Sequence, residues 1–194
     1  MADLRGDQAA GLRRLFGRAQ PHIITFAAGS PGVGKSVTVA NVAAALARQG
    51  KEVLVFDENL RGGVSALYGA TGRFELHHVL NREKRLSEVV LGVAPGMRIL
   101  PAARAVGRLG KLNVSQQEAL FESLGEMDLP PDVILVDASL DHPLGFSPLG
   151  LAAHDTVIVV SATGASITEA YALIKKVSLG DRKSTRLNSS HGII

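Results

Sequence analysis

The sequence contains no cysteine. Disulfides, thiolate zinc sites and cysteine-held iron–sulfur clusters are therefore excluded, and the absence accords with a reducing cytosol. Long apolar runs are missing too: none approaches the roughly 18 residues of a membrane-crossing helix. The first residues, MADLRGDQ, are charged and lack the apolar core of an export signal. No Pro/Gly/Ser-rich linker divides the chain, and neither an internal repeat nor a low-complexity segment is present. A chain of 194 residues with 46% hydrophobic content thus reads as one α/β-sized unit around one core.

The formal net charge of +3 owes much to the last residues. DRKSTRLNSSH, Asp181 to His191, breaks the apolar patterning that holds up to Leu179. A synthetic adapter ligated to DNA for sequencing translates in one frame to the same string. We therefore expect residues 181–194 to be a non-native tail and the natural chain to be cut short near Gly180. Without the tail, 18 basic and 17 acidic residues remain, a net charge of +1. The basic balance then carries no information about nucleic acid, and no nucleic-acid partner is expected.

Four short apolar runs stand out: HIITFAA (22–28), EVLVF (52–56), DVILV (132–136) and TVIVV (156–160). Each is apolar at successive rather than alternate positions, which predicts parallel strands buried on both faces. MRILPA (97–102) is a weaker strand candidate. Residues 36–48 place Val39, Val42, Ala43 and Leu46 at helical spacing, with Gly50 positioned to stop the helix. SQQEALFESLGEM and SITEAYALIKKV read as two further helices, each opening on a capping box, Ser115 with Glu118 and Ser166 with Glu169. Strands alternating with helices predict an α/β architecture.

Two groups of polar residues invite functional readings that the spacing does not support. His77 and His78 are adjacent, so on a helix they point about 100° apart and make a poor metal pair; one is expected to pack and one to be solvated. Arg98, Arg104, Arg108 and Lys111 could touch phosphate, but they have no interleaved aromatics and read as a solvated face.

The strongest chemical signal is G-S-P-G-V-G-K-S, Gly29 to Ser36, which satisfies G-x-x-x-x-G-K-[ST]. Gly29, Gly32 and Gly34 let the backbone curl around Ser30, Pro31 and Val33, so that successive N–H groups face one point at a helix N-terminus. Lys35 would reach the β- and γ-phosphates, the Ser36 hydroxyl would ligate Mg²⁺, and Val37 continues the nucleotide-binding run into the helix. The pattern falls where that chemistry needs it, after a buried strand and before an amphipathic helix. Asp57 and Asp137 each end an apolar run, where ligands gather in open α/β sheets. Both are candidates for holding Mg²⁺ together with Ser36, Asp137 in the position of the acidic residue that does so in P-loop proteins.

The loop, VLVFDENLRGGVSALYG, RILPA, ILVDASL and SITEAYALIKK occur in the same order as in the MinD/ParA class of deviant Walker ATPases, which the chain resembles. DQAAGLR, Asp7 to Arg13, narrows the likeness to the FlhG family (also called FleN or YlxH). There a D-Q-A-x-x-L-R element precedes the ATPase domain and engages the GTPase FlhF. The resemblance implies a three-layer P-loop NTPase fold with a mostly parallel sheet, here C-terminally truncated. It divides the chain into a partner-binding segment (1–20), an incomplete ATPase domain (21–180) and the tail (181–194). ATP and Mg²⁺ are the implied cofactors. An ATP-dependent homodimer and an FlhF-type GTPase are the implied partners, the latter through Asp7, Gln8, Ala9, Leu12 and Arg13. The implied location is the cytoplasm, with peripheral attachment to the inner face of the membrane through a C-terminal part lying beyond the truncation. The implied role is control of flagellar number and placement. The same fold also serves partition and division-site ATPases of the ParA or MinD type, and ATP-dependent synthetases and kinases of small molecules.

Two departures bear on catalysis, for which Lys35, Asp57 and Asn59 are the candidate residues. The family's loop usually reads K-G-G-x-G-K-[ST], its first lysine crossing the dimer to the partner's phosphates; here Ser30 stands in that place. The family usually has D-x-D after its second strand; here the triplet is Asp57, Glu58, Asn59. On an extended backbone 57 and 59 share a face and Glu58 points away. A serine supplies no charge, and an asparagine can orient water without taking its proton. Good binding and slow hydrolysis are therefore expected.

Overall fold

The computed structural model describes residues 21–59, 63–109, 111–112, 115–116, 120, 123–124, 127–139, 146–151 and 153–189. The partner-binding positions Asp7, Gln8, Ala9, Leu12 and Arg13 lie outside the described residues, as does most of the 115–127 helix with Glu118.

Among the described residues six strands form one sheet: β1 (His22–Ala27), β2 (Val53–Asp57), β3 (Leu91–Ala94), β4 (Met97–Pro101), β5 (Val133–Asp137) and β6 (Asp155–Ile158). Their order is β3-β4-β2-β5-β1-β6. All pairings are parallel except that of β3 with β4. The apolar patterning gives no sign of the strand at 91–94. LGVA alternates between half-buried and exposed, and it pairs only at the rim, so it carries none of the continuous apolar signal of a central strand.

Every residue of β2 and of β5 is buried, as their unbroken branched runs require. One face of the sheet packs Phe26, Val53, Val55, Ile99 and Leu135 against α1 (Lys35–Arg48), which contributes Val39, Ala40 and Ala43. The other packs Ile23, Leu54, Phe56, Leu100, Ile134 and Val136 with Leu76, Leu124 and Leu173. These two layers on a central sheet make the three-layer arrangement. Helix α1 ends as expected: Gly50 adopts φ +80°, and the amides of Gly50 and Lys51 return to the carbonyls of Ala47 and Leu46.

TVIVV departs from the expectation of a strand buried on both faces. Among the described residues β6 lies at the edge of the sheet beside β1, and its residues are exposed or half-buried rather than buried on both faces. Val157 and Val160 are 38% and 49% exposed. Between them run the short helices α2 (Val64–Leu67), α3 (Leu76–Leu80), α4 (Val106–Leu109) and α5 (Pro148–Leu151), and the long α6 (Gly164–Ser189). Helix α6 also starts earlier than its predicted Ser166 cap. Thr163 Oγ1 accepts the Ser166 N–H at 3.3 Å, and the Ser166 hydroxyl instead accepts the Ser161 N–H at 3.1 Å.

His77 and His78 are both half-buried, so neither is solvated as expected. Their rings lie 3.8 Å apart, and His78 Nδ1 accepts the Glu75 N–H at 3.0 Å, closing the start of α3. Arg104, Arg108 and Lys111 are exposed, as expected of a solvated face, with Arg98 half-buried beside them, and surface partners hold three of the four. Arg98 pairs with Glu52 at 3.2 Å, Arg104 with Glu75 at 3.5 Å, and Arg108 donates to Asn81. Among the described residues no three side chains gather as a metal-ligating cluster.

Candidate nucleotide-binding site

Strand β5 lies between β1 and β2, so three chain segments far apart in sequence converge at the C-terminal edge of the sheet. They are the loop after β1 (29–34), the triplet after β2 (57–59) and the segment after β5 (137–139). Asp57 and Asp137 are direct partners in the β2–β5 register, so both carboxylates leave the sheet at the same level.

The loop connects β1 to the first turn of α1. Gly32 and Gly34 hold φ of +77° and +89°, backbone that side chains rarely tolerate. Gly29 is required for a different reason: a Cβ there would lie 2.4 Å from the Glu169 carbonyl carbon in α6. Ser30 and Val33 are half-buried, while Pro31, Gly32 and Val37 are exposed. Thr38 sends both its N–H and its hydroxyl to the Gly34 carbonyl, at 2.9 and 3.0 Å, fixing the loop onto the helix start.

Lys35 is the hub. Its ammonium lies 2.7 Å from Asp137 Oδ1, donates to the Ala138 carbonyl and reaches Asn59 Oδ1 at 3.3 Å. Asp137 is fully buried. Burial pushes its carboxyl above the usual carboxylate range against the opposing pull of Lys35 and of the Ser36 hydroxyl, and the Asp57 charge adds to the rise. Neither Asp137 oxygen receives a well-directed hydrogen bond, so its lone pairs are only partly engaged. A buried, under-coordinated carboxylate beside a serine hydroxyl is a fitting donor pair for a hard divalent cation. Ser36 and Asp137 are thus brought together as the sequence reading had them.

Asp57 is more fully occupied. Its Oδ2 accepts the Ser65 N–H at 2.8 Å at the start of α2, and its Oδ1 accepts the Asn59 N–H at 3.2 Å. Asn59 links the two acids: Nδ2 donates to the Asp137 carbonyl at 2.9 Å while Oδ1 faces Lys35.

Glu58 points away from the face shared by Asp57 and Asn59, but that side is interior: it is 2% exposed, and its Oε2 accepts the Ser139 N–H at 3.1 Å. Burial raises its pKa to about 7, against the lowering effects of Ser147, Ser139 and the Lys35 charge. Strand alternation described the direction correctly, but it could not show that the opposite face at this point is also interior.

A family model described as the CobQ/CobB/MinD/ParA nucleotide binding domain matches residues 24–179. The chain belongs to the CobQ/CobB/MinD/ParA family. Among curated relatives it is 32% identical over 172 residues to the antiactivator FleN of Pseudomonas aeruginosa, covering 88% of this chain and 58% of that protein. It is 30% identical over 155 residues to the flagellum site-determining protein YlxH of Helicobacter pylori, covering 78% of this chain and 52% of that protein. It therefore spans between half and three-fifths of the length of these relatives. Among solved structures, MinD of Aquifex aeolicus superposes with a TM-score of 0.65 at 23% identity, over 84% of this chain and 66% of that one. Cobyrinic acid a,c-diamide synthase of Mycobacterium smegmatis, solved with an ATP analogue and magnesium, superposes equally well at 24% identity, over 84% and 69%. At these identities the superpositions establish the mostly parallel P-loop fold of the CobQ/CobB/MinD/ParA domain. In this fold Gly29 to Gly34 joins β1 to α1, Lys35 opens α1, Asn59 follows β2 and Asp137 ends β5.

Proposed function

We propose that the protein is an ATP- and Mg²⁺-binding regulator of flagellar number or placement that switches with nucleotide as a dimer and hydrolyses ATP slowly. The observation that carries the reading is the convergence of Lys35, Ser36 and Asp137 behind an intact phosphate loop, in a chain whose curated relatives include FleN and YlxH. In this reading the loop amides and Lys35 hold the β- and γ-phosphates, and Ser36 with Asp137 holds Mg²⁺. The cation supplies charge neutralisation between phosphate oxygens when bound. Asp57 and Asn59 orient the water side of the site. Ser30 contributes no positive charge, where a cation delivered in trans is worth about 10³–10⁵ in rate in comparable enzymes.

Residues 1–20 are proposed as a separate segment that engages an FlhF-type GTPase, on the strength of DQAAGLR. Residues 181–194 are proposed as non-native. The cytoplasmic face of the membrane remains the proposed location. The chromosome-partitioning ATPase Soj of Thermus thermophilus is 35% identical over 146 residues, so a partition role is the second reading. DQAAGLR favours the first.

The test is twofold. Isothermal calorimetry on the full natural chain should show binding of ATP with Mg²⁺ that Lys35→Ala weakens severely. Deleting the gene in its own organism should change the number or position of flagella. Equal affinity of wild type and Lys35→Ala, or unchanged flagella with disturbed chromosome segregation, would overturn the proposal.

A further inference from the structure

The Ala138–Ser139 peptide group is gripped from both sides. Its carbonyl accepts from Lys35 Nζ, and its N–H donates to Glu58 Oε2 at 3.1 Å. Because a peptide group is planar, the direction of the N–H dictates that of the carbonyl. The preceding residue is held as well: the Ala138 N–H donates to the Phe26 carbonyl at 3.0 Å, and the Asp137 carbonyl accepts from Glu58 N at 3.2 Å and from Asn59 Nδ2 at 2.9 Å. Residues 57–59 and 137–139 are thereby stitched together, with the carboxylate of Glu58 accepting the Ser139 N–H.

We infer that Glu58 is a positioning residue for Lys35: by holding the Ser139 N–H it aims the Ala138 carbonyl at the lysine ammonium and so sets how readily that ammonium is given up to a nucleotide phosphate. The inference rests on the proposed nucleotide site and deepens it. Glu58 itself touches no phosphate in this arrangement, since the Ala138–Ser139 peptide stands between it and Lys35. Burying its carboxyl carries a cost that a leucine or valine would avoid, which accords with a function for Glu58. A hydrogen bond from a charged donor such as Lys35 to Ala138 competes directly with one to phosphate.

Three proteins decide the matter: the wild type, Glu58→Leu, which fills the space without an acceptor, and Glu58→Gln, whose amide oxygen can still accept. Glu58→Leu should tighten binding of ATP with Mg²⁺ by about tenfold, the scale of one hydrogen bond to a charged group. Glu58→Gln should stay near wild type. In a Lys35→Met background the Glu58→Leu change should have no effect on the residual affinity, whereas a purely structural role would shift it equally in both backgrounds. Weaker binding in Glu58→Leu, or an equal shift in both backgrounds, would overturn the inference.

A nucleotide-independent readout separates this test from that of the proposed function. In the wild type, Lys35 Nζ protons should exchange with water far more slowly than those of exposed Lys51, by nitrogen-15 NMR. The protection should be lost in Glu58→Leu and kept in Glu58→Gln. Failure to bind ATP with protection intact would sink the nucleotide reading alone. Exchange at Lys35 as fast as at Lys51 in the wild type would sink the positioning role alone, and that measurement depends on no variant's folding.

Discussion

Asn59 donates through Nδ2 to the Asp137 carbonyl at 2.9 Å and presents Oδ1 to Lys35 at 3.3 Å. The amide uses both its ends, one as donor and one as acceptor. A carboxylate cannot do this, because it has no donor to offer the carbonyl. The asparagine that departs from the family's D-x-D pattern is therefore built into the junction between β2 and β5.

Asn59→Asp should accordingly destabilise the fold by about 2 kcal/mol, since it sets an oxygen against the Asp137 carbonyl and a second charge beside Asp57. Chemical denaturation reads this as a lower midpoint. In turnover the same change should help only alongside Ser30→Lys, because both groups act on one transition state. Steady-state phosphate release should rise more in the double variant than in either single one. Wild-type release as fast as that of a relative with both family residues would show the slow-switch reading to be wrong. Pro31, with its fixed φ, limits how far a lysine at 30 can reach.

Lys35 and Asp137 stabilise one another in the interior. Lys35→Ala leaves the fully buried carboxylate without its counter-charge and should cost about 3 kcal/mol. Adding Asp137→Asn should recover much of that loss by removing the stranded charge. Denaturant midpoints of the two single variants and the double variant provide the check; additive losses would mean that the pair is not coupled.

Glu58 makes stability depend on pH in an identifiable direction. Its folded pKa of about 7 lies above the ordinary 4.5, so between those values the folded chain holds a proton that the unfolded chain has released. Stability contributed this way is full below 4.5 and is lost as pH rises through about 7, by at most about 3 kcal/mol. Asp137, also raised, contributes in the same direction. The comparison with Glu58→Gln isolates Glu58: melting temperatures from about pH 5 to about pH 8 should fall more steeply in the wild type. Parallel curves would count against the raised pKa.

A peptide covering residues 1–20 should bind an FlhF-type GTPase and alter its GTP hydrolysis. Ala9, Leu12 and Phe16 supply the apolar stripe such a helix would use. The same peptide with Leu12→Asp should bind much more weakly. No binding by the native peptide, where a peptide from an authentic FlhG works, would exclude the partner.

The sequence by itself determined the class of fold and the loop. Unbroken branched runs at 53–56 and 133–136 can only be satisfied by a sheet covered on both faces, and both strands are wholly buried. The spacing of Gly29, Gly32, Gly34, Lys35 and Ser36 is local chemistry, settled within one turn of backbone. What the tertiary structure decided was which distant residues meet. Placing β5 between β1 and β2 brings Asp137 and Ala138 against Lys35, and no local pattern encodes that strand order. The same placement buries the far side of the 57–59 triplet, which turns Glu58 from an apparent outward residue into the acceptor for Ser139. It also leaves β6 at the edge, where an apolar run that reads as core remains exposed. Periodicity reports which way a side chain points; only packing decides what lies there.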